Sequence, residues 1–287
     1  MMVDKIISEF QKKKREEHAL QNKIKIKDLE RENIEDLLYV CSSKRLNDPI
    51  HRKGTNLKRS WLHKMLARYG SVAKIAYHDN KPVAQILYYP ETADPTKTAG
   101  RDDVLTLTCV YNPTLAAQKL GIGTKLLKSV IDDAKLGRTC LGNRPCRFIA
   151  TKAFNTGELL SLSEFFKKNR FLQAPEDGVM YLPIEGEYAS ALPVGEYEPL
   201  PEDLDRAIVF YSPVCQFSYQ FATKTAALIK EAAPAISVEL INQWERPEES
   251  TKRKNCNPIV NARYMKTFFM DTERFKEEVK RAICKKT

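Results

Sequence analysis

The stretch Gln118-Lys119-Leu120-Gly121-Ile122-Gly123-Thr124 lies between an apolar run, Val104–Tyr111, and an amphipathic run, Ile122–Leu136. Leu126, Leu127, Val130 and Ile131 recur at helical spacing, and Gly137 supplies a stop. The pattern predicts a buried strand, a glycine-bearing turn and a helix. Two glycines at such a turn let backbone approach a ligand closely, and the free amides of the first helical turn attract phosphate at the positive end of the helix dipole. The dinucleotide fingerprint needs a third glycine where Leu126 stands, and the Walker sequence GxxxxGK[ST] is absent. The chain is therefore expected to bind a phosphate-bearing ligand that is neither NAD nor a P-loop nucleotide.

The same period test organises the rest of the chain. Ile24–Leu29 reads as a short strand, followed by a helix that starts at Asn33 and carries Ile34, Leu37, Leu38 and Cys41. A polar loop with Pro49 and Gly54 leads to a helix from about Asn56 to Tyr69, ended by Gly70. Val72–His78 and Pro82–Tyr89 flank Asp79-Asn80-Lys81 as a hairpin would, with Asn80 in the turn. Arg147–Phe154 reads as a strand, Ser161–Asn169 as a helix and Val179–Ile184 as a strand. After the Pro-containing stretch that follows Glu187, the pattern is strand Ala207–Tyr211, helix Ser218–Ala232, strand Ser237–Ile241, a charged stretch over 247–254, strands Pro258–Val260 and Thr267–Met270, and helix Thr272–Cys284. The boundaries that follow are a charged helical leader over 1–22, a first domain over 23–186, a linker over 187–205 and a second domain over 206–287.

With Gln118, Gly121 and Gly123 set in this order of elements, residues 23–186 resemble the GCN5-related N-acetyltransferase (GNAT) superfamily, whose motif Gln/Arg-x-x-Gly-x-Gly/Ala binds the pyrophosphate of acetyl-CoA. The resemblance implies an α/β fold of the α+β kind with a mixed central sheet. It also implies acetyl-CoA as cosubstrate, no metal, and an amine as acceptor. By the same resemblance Cys109 and Val110 present backbone groups to the pantetheine arm, and the amides of Lys119, Leu120, Gly121, Ile122, Gly123 and Thr124 hold the pyrophosphate. Asn155 stands as the asparagine that contacts the cofactor after the next strand, provided an insertion is allowed there. The expected chemistry is direct attack of a neutral amine on the thioester carbonyl, which needs a base and a proton donor. Asp103 and Tyr111 are the candidate bases, with Asp102 and Glu91 nearby in sequence. Family members often carry a proton-donating tyrosine where this chain has Phe166, which has no proton to give.

In the second domain Cys215 follows a strand and opens a helix, where the helix terminus favours a thiolate. The order of elements over 206–286 resembles a small thioredoxin fold, with Pro258 at the place of that family's cis-proline and Ser218 where a resolving cysteine would stand. A GNAT domain followed by such a domain resembles the YoaP-type prokaryotic acetyltransferases. Three functions stay open: an N-acetyltransferase, a non-catalytic or regulatory CoA-binding module, and a monothiol redox protein working through Cys215.

Composition narrows the partners. The 287 residues carry a net charge of +10, of which +7 falls in residues 1–70, where Lys12–Arg15 and Lys44, Arg45, Arg52, Lys53, Lys58 and Arg59 read as solvated basic faces. Aromatic residues are not interleaved with them, so nucleic acid is not favoured as a partner. No apolar run approaches the ~20 residues of a membrane helix, and Asp4 and Glu9 interrupt any signal-peptide core. Neither a membrane span nor Sec export is expected. The 7 cysteines are scattered without a CxxC pair, which fits a reducing cytoplasm, and the 4 histidines show no metal-ligand spacing. A homodimer is compatible with this reading.

Overall fold

The computed structural model describes residues 23–153 and 161–284 and divides into two compact units. The first comprises Met1–Lys44, Leu62–Glu91 and Arg101–Ser190; the second comprises Arg45–Trp61, Thr92–Gly100 and Ala191–Thr287. The fold class is mixed α/β, as the sequence leads one to expect.

The first unit is built on a seven-stranded sheet ordered β1-β2-β3-β4-β5-β7-β6. Its strands are β1 (Ile24–Asp28), β2 (Ala73–His78), β3 (Lys81–Pro90), β4 (Val104–Tyr111), β5 (Phe148–Lys152), β6 (Leu172–Gln173) and β7 (Val179–Pro183). Only β4 and β5 are parallel; every other neighbouring pair is antiparallel. The β2–β3 hairpin turns through Asp79 and Asn80, both with φ near +50 to +60°, as a two-residue turn requires. Helix α1 (Ile34–Ser42) covers one face, where Tyr77 donates to Asp36 at 2.7 Å. Helix α3 (Ile122–Lys135) covers the other: its Asp133 pairs with the buried ammonium of Lys74, which also meets Asp28, both at 2.5 Å. The apolar stripes Ile34, Leu37, Leu38, Val40 and Ile122, Leu126, Leu127, Val130, Ala134 are both buried, which is why these helices lie on the sheet. A short helix, α4 (Leu162–Lys168), capped by Ser161, buries Phe166 between Phe165 and Phe171. Tyr188 stacks on Tyr181 at 4.2 Å, so the chain just past Glu187 still packs on the first unit.

The second unit holds a four-stranded sheet ordered β11-β10-β8-β9, with β8 (Arg206–Tyr211) and β9 (Ser237–Asn242) parallel and β10 (Ile259–Val260) and β11 (Arg263–Tyr264) antiparallel to their neighbours. Helices α5 (Gln216–Ala232) and α7 (Thr272–Ile283) bury Ala222, Ile229, Phe275 and Val279 against Ala207, Val209 and Val260. The bond Asn257–Pro258 is cis. Arg253, on the turn after α6 (Pro247–Lys252), is wholly buried against Asp203 at 2.6 Å and Glu249 at 2.6 Å, and Tyr197 donates to Asp203 at 2.8 Å. A buried ion pair needs such saturation of its hydrogen-bonding capacity to offset desolvation.

Three elements differ from expectation. Helix α2 runs over Pro49–Tyr69, starting seven residues before the expected Asn56, because Asp48 accepts from the amides of Ile50 (2.9 Å) and His51 (3.1 Å) and Pro49 takes the first helical position. To Trp61 it clusters with the second unit and from Leu62 with the first. No strand forms over Thr267–Met270: Asn261 and Ala262, at φ +47° and +55°, reverse the chain at once, so Arg263–Tyr264 takes the pairing. Glu278 then holds the amides of Lys266 and Thr267 at 2.9 and 2.8 Å and leaves Phe268 and Met270 exposed. The basic side chains of α2 are not all solvated: Lys58 is 2% exposed, and Lys53 lies over the Tyr219 ring at 4.7 Å. The expected leader over 1–22 lies outside the described residues.

Candidate functional site

β4 and β5 stay paired only from Val104–Phe148 to Leu107–Thr151. β4 continues through Thr108, Cys109, Val110 and Tyr111 with β3 on one side and, among the described residues, no strand on the other. The register against β3 slips between Leu87 and Tyr88, which makes Thr108 the extra residue of a bulge; its hydroxyl donates to the Leu87 carbonyl at 3.3 Å. The β4–β5 ladder therefore ends at Leu107–Thr151 while β4 runs on for four residues.

The turn after β4 aims a helix terminus at the same end of the strand. The Gln118 side chain donates to the Asn112 carbonyl at 3.3 Å, and Asn112 donates to the Ala117 carbonyl at 2.9 Å, so the loop is tied to itself. Lys119 (φ +62°) and Gly121 (φ +70°) take left-handed backbone, and Gly121 is the N-cap of α3. Gly121 has no side chain with which to cap this terminus, and the first turn contains no acidic residue. The first helical bond runs from Lys125 to the Gly121 carbonyl at 3.0 Å, which leaves the amides of Ile122, Gly123 and Thr124 directed outward. A Cβ on Gly121 would meet nothing within 4 Å. A Cβ on Gly123 would meet the Phe165 ring at 3.4 Å and Val110 at 3.7 Å, so this glycine lets the helix pack closely on β4 and α4. Leu120 is half-buried beside it. First-turn amides at a dipole end, beside a strand that outruns its parallel neighbour among the described residues, fit an elongated ligand carrying a phosphate group.

Of the candidate bases, Tyr111 stands at the open end of β4, paired in register with Gln85. Asp103 does not join it. It lies just before β4 at the closed end, its carboxylate 3.1 Å from Arg144 and its carbonyl taking the Arg147 amide at 2.8 Å, about 17 Å of strand from Thr108. Glu91 is wholly buried and held by Arg101 at 2.7 and 3.0 Å, so it acts as a lock on the sheet's end. Cys109 is half-buried with its sulfur 3.9 Å from the Gln85 amide nitrogen, and Val110 points to the α3 face. Phe166 is 1% exposed and packs as core. Asn155 lies outside the described residues. Cys140 and Cys146 are buried thiols, each pushed up to about 12 by desolvation.

Sequence reasoning misses Gln85. It is 0% exposed, its amide nitrogen lies 3.0 Å from the Cys41 sulfur on α1, and its oxygen has no hydrogen-bond partner. An isolated glutamine in a strand pattern gives no signal of this, because its neighbours are set by tertiary pairing.

In the second unit Cys215 is the exposed N-cap of α5, with Ser218 one turn on accepting from the Ser212 amide at 2.9 Å. A cavity of about 300 Å³ between Ser218, Phe221, Pro258, Tyr264 and Phe269 opens beside that helix. Among the described residues no helix is long and apolar enough to cross a membrane, and no group of three metal-ligating side chains occurs.

No protein-family model matches the chain, and no curated protein matches it. Among solved structures it is similar to Ard1 from Thermoplasma volcanium, with 11% identity and a TM-score of 0.38 over 56% of this chain and 98% of that one. It is similar also to the PaiA N-acetyltransferase from Thermoplasma acidophilum in complex with coenzyme A, with 16% identity and a TM-score of 0.39 over 56% of this chain and 98% of that one. A GNAT family acetyltransferase from Brucella melitensis in complex with acetyl-CoA is 13% identical, with a TM-score of 0.37 over 60% of this chain and 93% of its own.

Proposed function

We propose that the first unit is a GCN5-related N-acetyltransferase that moves an acetyl group from acetyl-CoA to an amine. The observation that carries this reading is the coincidence of two features at one end of β4: among the described residues the strand runs on past its last rung with β5, and Gly121 opens α3 with left-handed backbone and an acid-free first turn. Acetyl-CoA supplies an acyl group activated as a thioester. The amides of Ile122, Gly123 and Thr124 donate to its pyrophosphate, with left-handed Lys119 and Gly121 shaping the turn. The backbone of β4 at Cys109 and Val110 holds the pantetheine arm. An edge amide at the bulge polarises the carbonyl. The acceptor nitrogen arrives neutral and forms the N–C bond as the C–S bond breaks; the proton that nitrogen loses passes to water, directly or relayed through the Tyr111 hydroxyl, which gives up its own proton as it takes one, and the thiolate leaves without help from Phe166. Asn155 is a further cofactor contact in this reading.

The second unit is, on this proposal, a thioredoxin-like domain of the YoaP type, working as a scaffold in the cytoplasm. Its strand order β11-β10-β8-β9, the parallel β8–β9 pair and the cis bond at Pro258 support that reading.

Release of free thiol from acetyl-CoA with methylamine, triglycine or Nα-acetyllysine tests the transferase. Amine-dependent release is the expected result. Binding of acetyl-CoA without release from any of the three would favour the non-catalytic CoA-binding module.

A further inference from the structure

The cavity beside α5 lies wholly within the second unit, and neither the transferase chemistry nor a scaffold role uses it. One wall is a single face of α5: Ser218, Phe221, Ala222 and Thr225 stand at i, i+3, i+4 and i+7. The facing wall is the chain from Tyr264 to Phe269, which leaves the sheet where β11 ends. Polar side chains along these walls are already tied to the protein. Ser218 accepts from the Ser212 amide at 2.9 Å, Thr225 donates to the Phe221 carbonyl at 2.9 Å, and Asn257 bonds the Phe210 amide and carbonyl, each at 2.9 Å. What is offered to an occupant is apolar surface, much of it aromatic. Three of the four exposed aromatic side chains among the described residues, Phe221, Tyr264 and Phe268, line this one cavity. Phe269 joins them, its ring centroid 5.6 Å from that of Phe221 and 4.7 Å from that of Phe268. Exposed aromatic surface gathered at a concavity marks a ligand site. The volume of about 300 Å³ exceeds the roughly 150 Å³ that holds a benzene ring.

The rim carries positive charge. Lys266 lines the cavity, and Lys224 sets its ammonium 5.6 Å from the Phe269 centroid and 3.9 Å from the Met270 sulfur. Neither ammonium has a carboxylate partner among the described residues, because the nearby Glu278 is turned to the amides of Lys266 and Thr267. We propose that this cavity binds a small aromatic carboxylate, with its ring among Phe221, Phe268 and Phe269 and its carboxylate at Lys224 and Lys266. A neutral alcohol of the same shape loses the ion pair, and an aliphatic acid loses the ring contacts.

The test titrates phenylbutyrate into the full chain by ligand-observed NMR, with phenylbutanol as the neutral control and hexanoate as the aliphatic one. Phenylbutyrate should bind with a Kd of about 1 mM or tighter, and both controls about fivefold or more weakly than it. Ala222→Met fills the cavity from α5 and should abolish binding in a folded protein. Lys224→Glu combined with Lys266→Glu changes only exposed side chains, so it decides the matter even where the filled variant does not fold. It should weaken phenylbutyrate about fivefold or more and leave phenylbutanol unchanged. No binding of phenylbutyrate to the wild type, equal affinity for acid and alcohol, or unchanged affinity in the charge-reversed variant would each overturn the proposal. A concentration-dependent dimer in sedimentation that Phe268→Ser abolishes would assign the aromatic rim to a second copy of the chain and overturn it as well.

Discussion

His51 is a buried imidazole whose surroundings disfavour its charged form. Burial lowers its pKa first, the Arg45 guanidinium lowers it further, and Asp48 only partly opposes them. The Gln216 amide nitrogen lies 3.1 Å from Nε2, so protonating that nitrogen would set one donor against another. A histidine whose folded pKa is lowered is protonated first in the unfolded chain, so its contribution to stability is complete above about pH 6.5 and is lost as pH falls below that. Tm should therefore drop between pH 7.5 and pH 5.5, and His51→Asn should flatten that dependence. A wild-type Tm constant across the window would contradict the assignment. Residue roles also divide the glycine motif: Gln118 ties the loop, Gly121 supplies left-handed backbone, and Gly123 permits close packing.

At the scale of elements, α2 shows how a local rule can be reversed by packing. Replacing a glycine inside a helix by alanine ordinarily stabilises it by about 1 kcal/mol. Gly54 is helical, yet a Cβ there would lie 2.1 Å from the Gln216 carbonyl oxygen, so backbone would have to move. Gly54→Ala should therefore destabilise the protein, by about 1–3 kcal/mol as overpacking does, in urea unfolding; a stabilised variant would contradict the packing. The same glycine explains why the start of α2 was not legible in sequence. Pro49 and Gly54 read as a loop, and only Asp48 and the opposing carbonyl show otherwise. Strongly periodic or turn-marked elements were legible: α3 from its leucines, and the β2–β3 hairpin from Asn80. Thr267–Met270 has strand composition, but pairing had already been taken two residues after Ala262. The glycine-bearing turn before α3 could be read from its sequence because backbone conformation is a local property. The place of Asp103 at the far end of β4, and of Gln85 beside Cys109, could not, since register across a sheet fixes both.

For the whole molecule, the net charge of +10 is concentrated toward the front of the chain, and the amides and dipole of α3 add a local positive end without any side chain. On the proposed reading, an anionic cosubstrate is drawn to that positive end, and the chemistry takes place where β4 leaves β5. The most direct test separates the fold of α3 from its use. Thr124 is exposed in the first turn, so Thr124→Glu places a carboxylate where it favours the helix dipole, by about 0.3–1 kcal/mol, and repels a pyrophosphate. Calorimetric titration of acetyl-CoA should show binding to wild type and at least tenfold weaker binding to Thr124→Glu, with Tm unchanged or raised. Equal binding to the two proteins, or none to a folded wild type, would contradict the account.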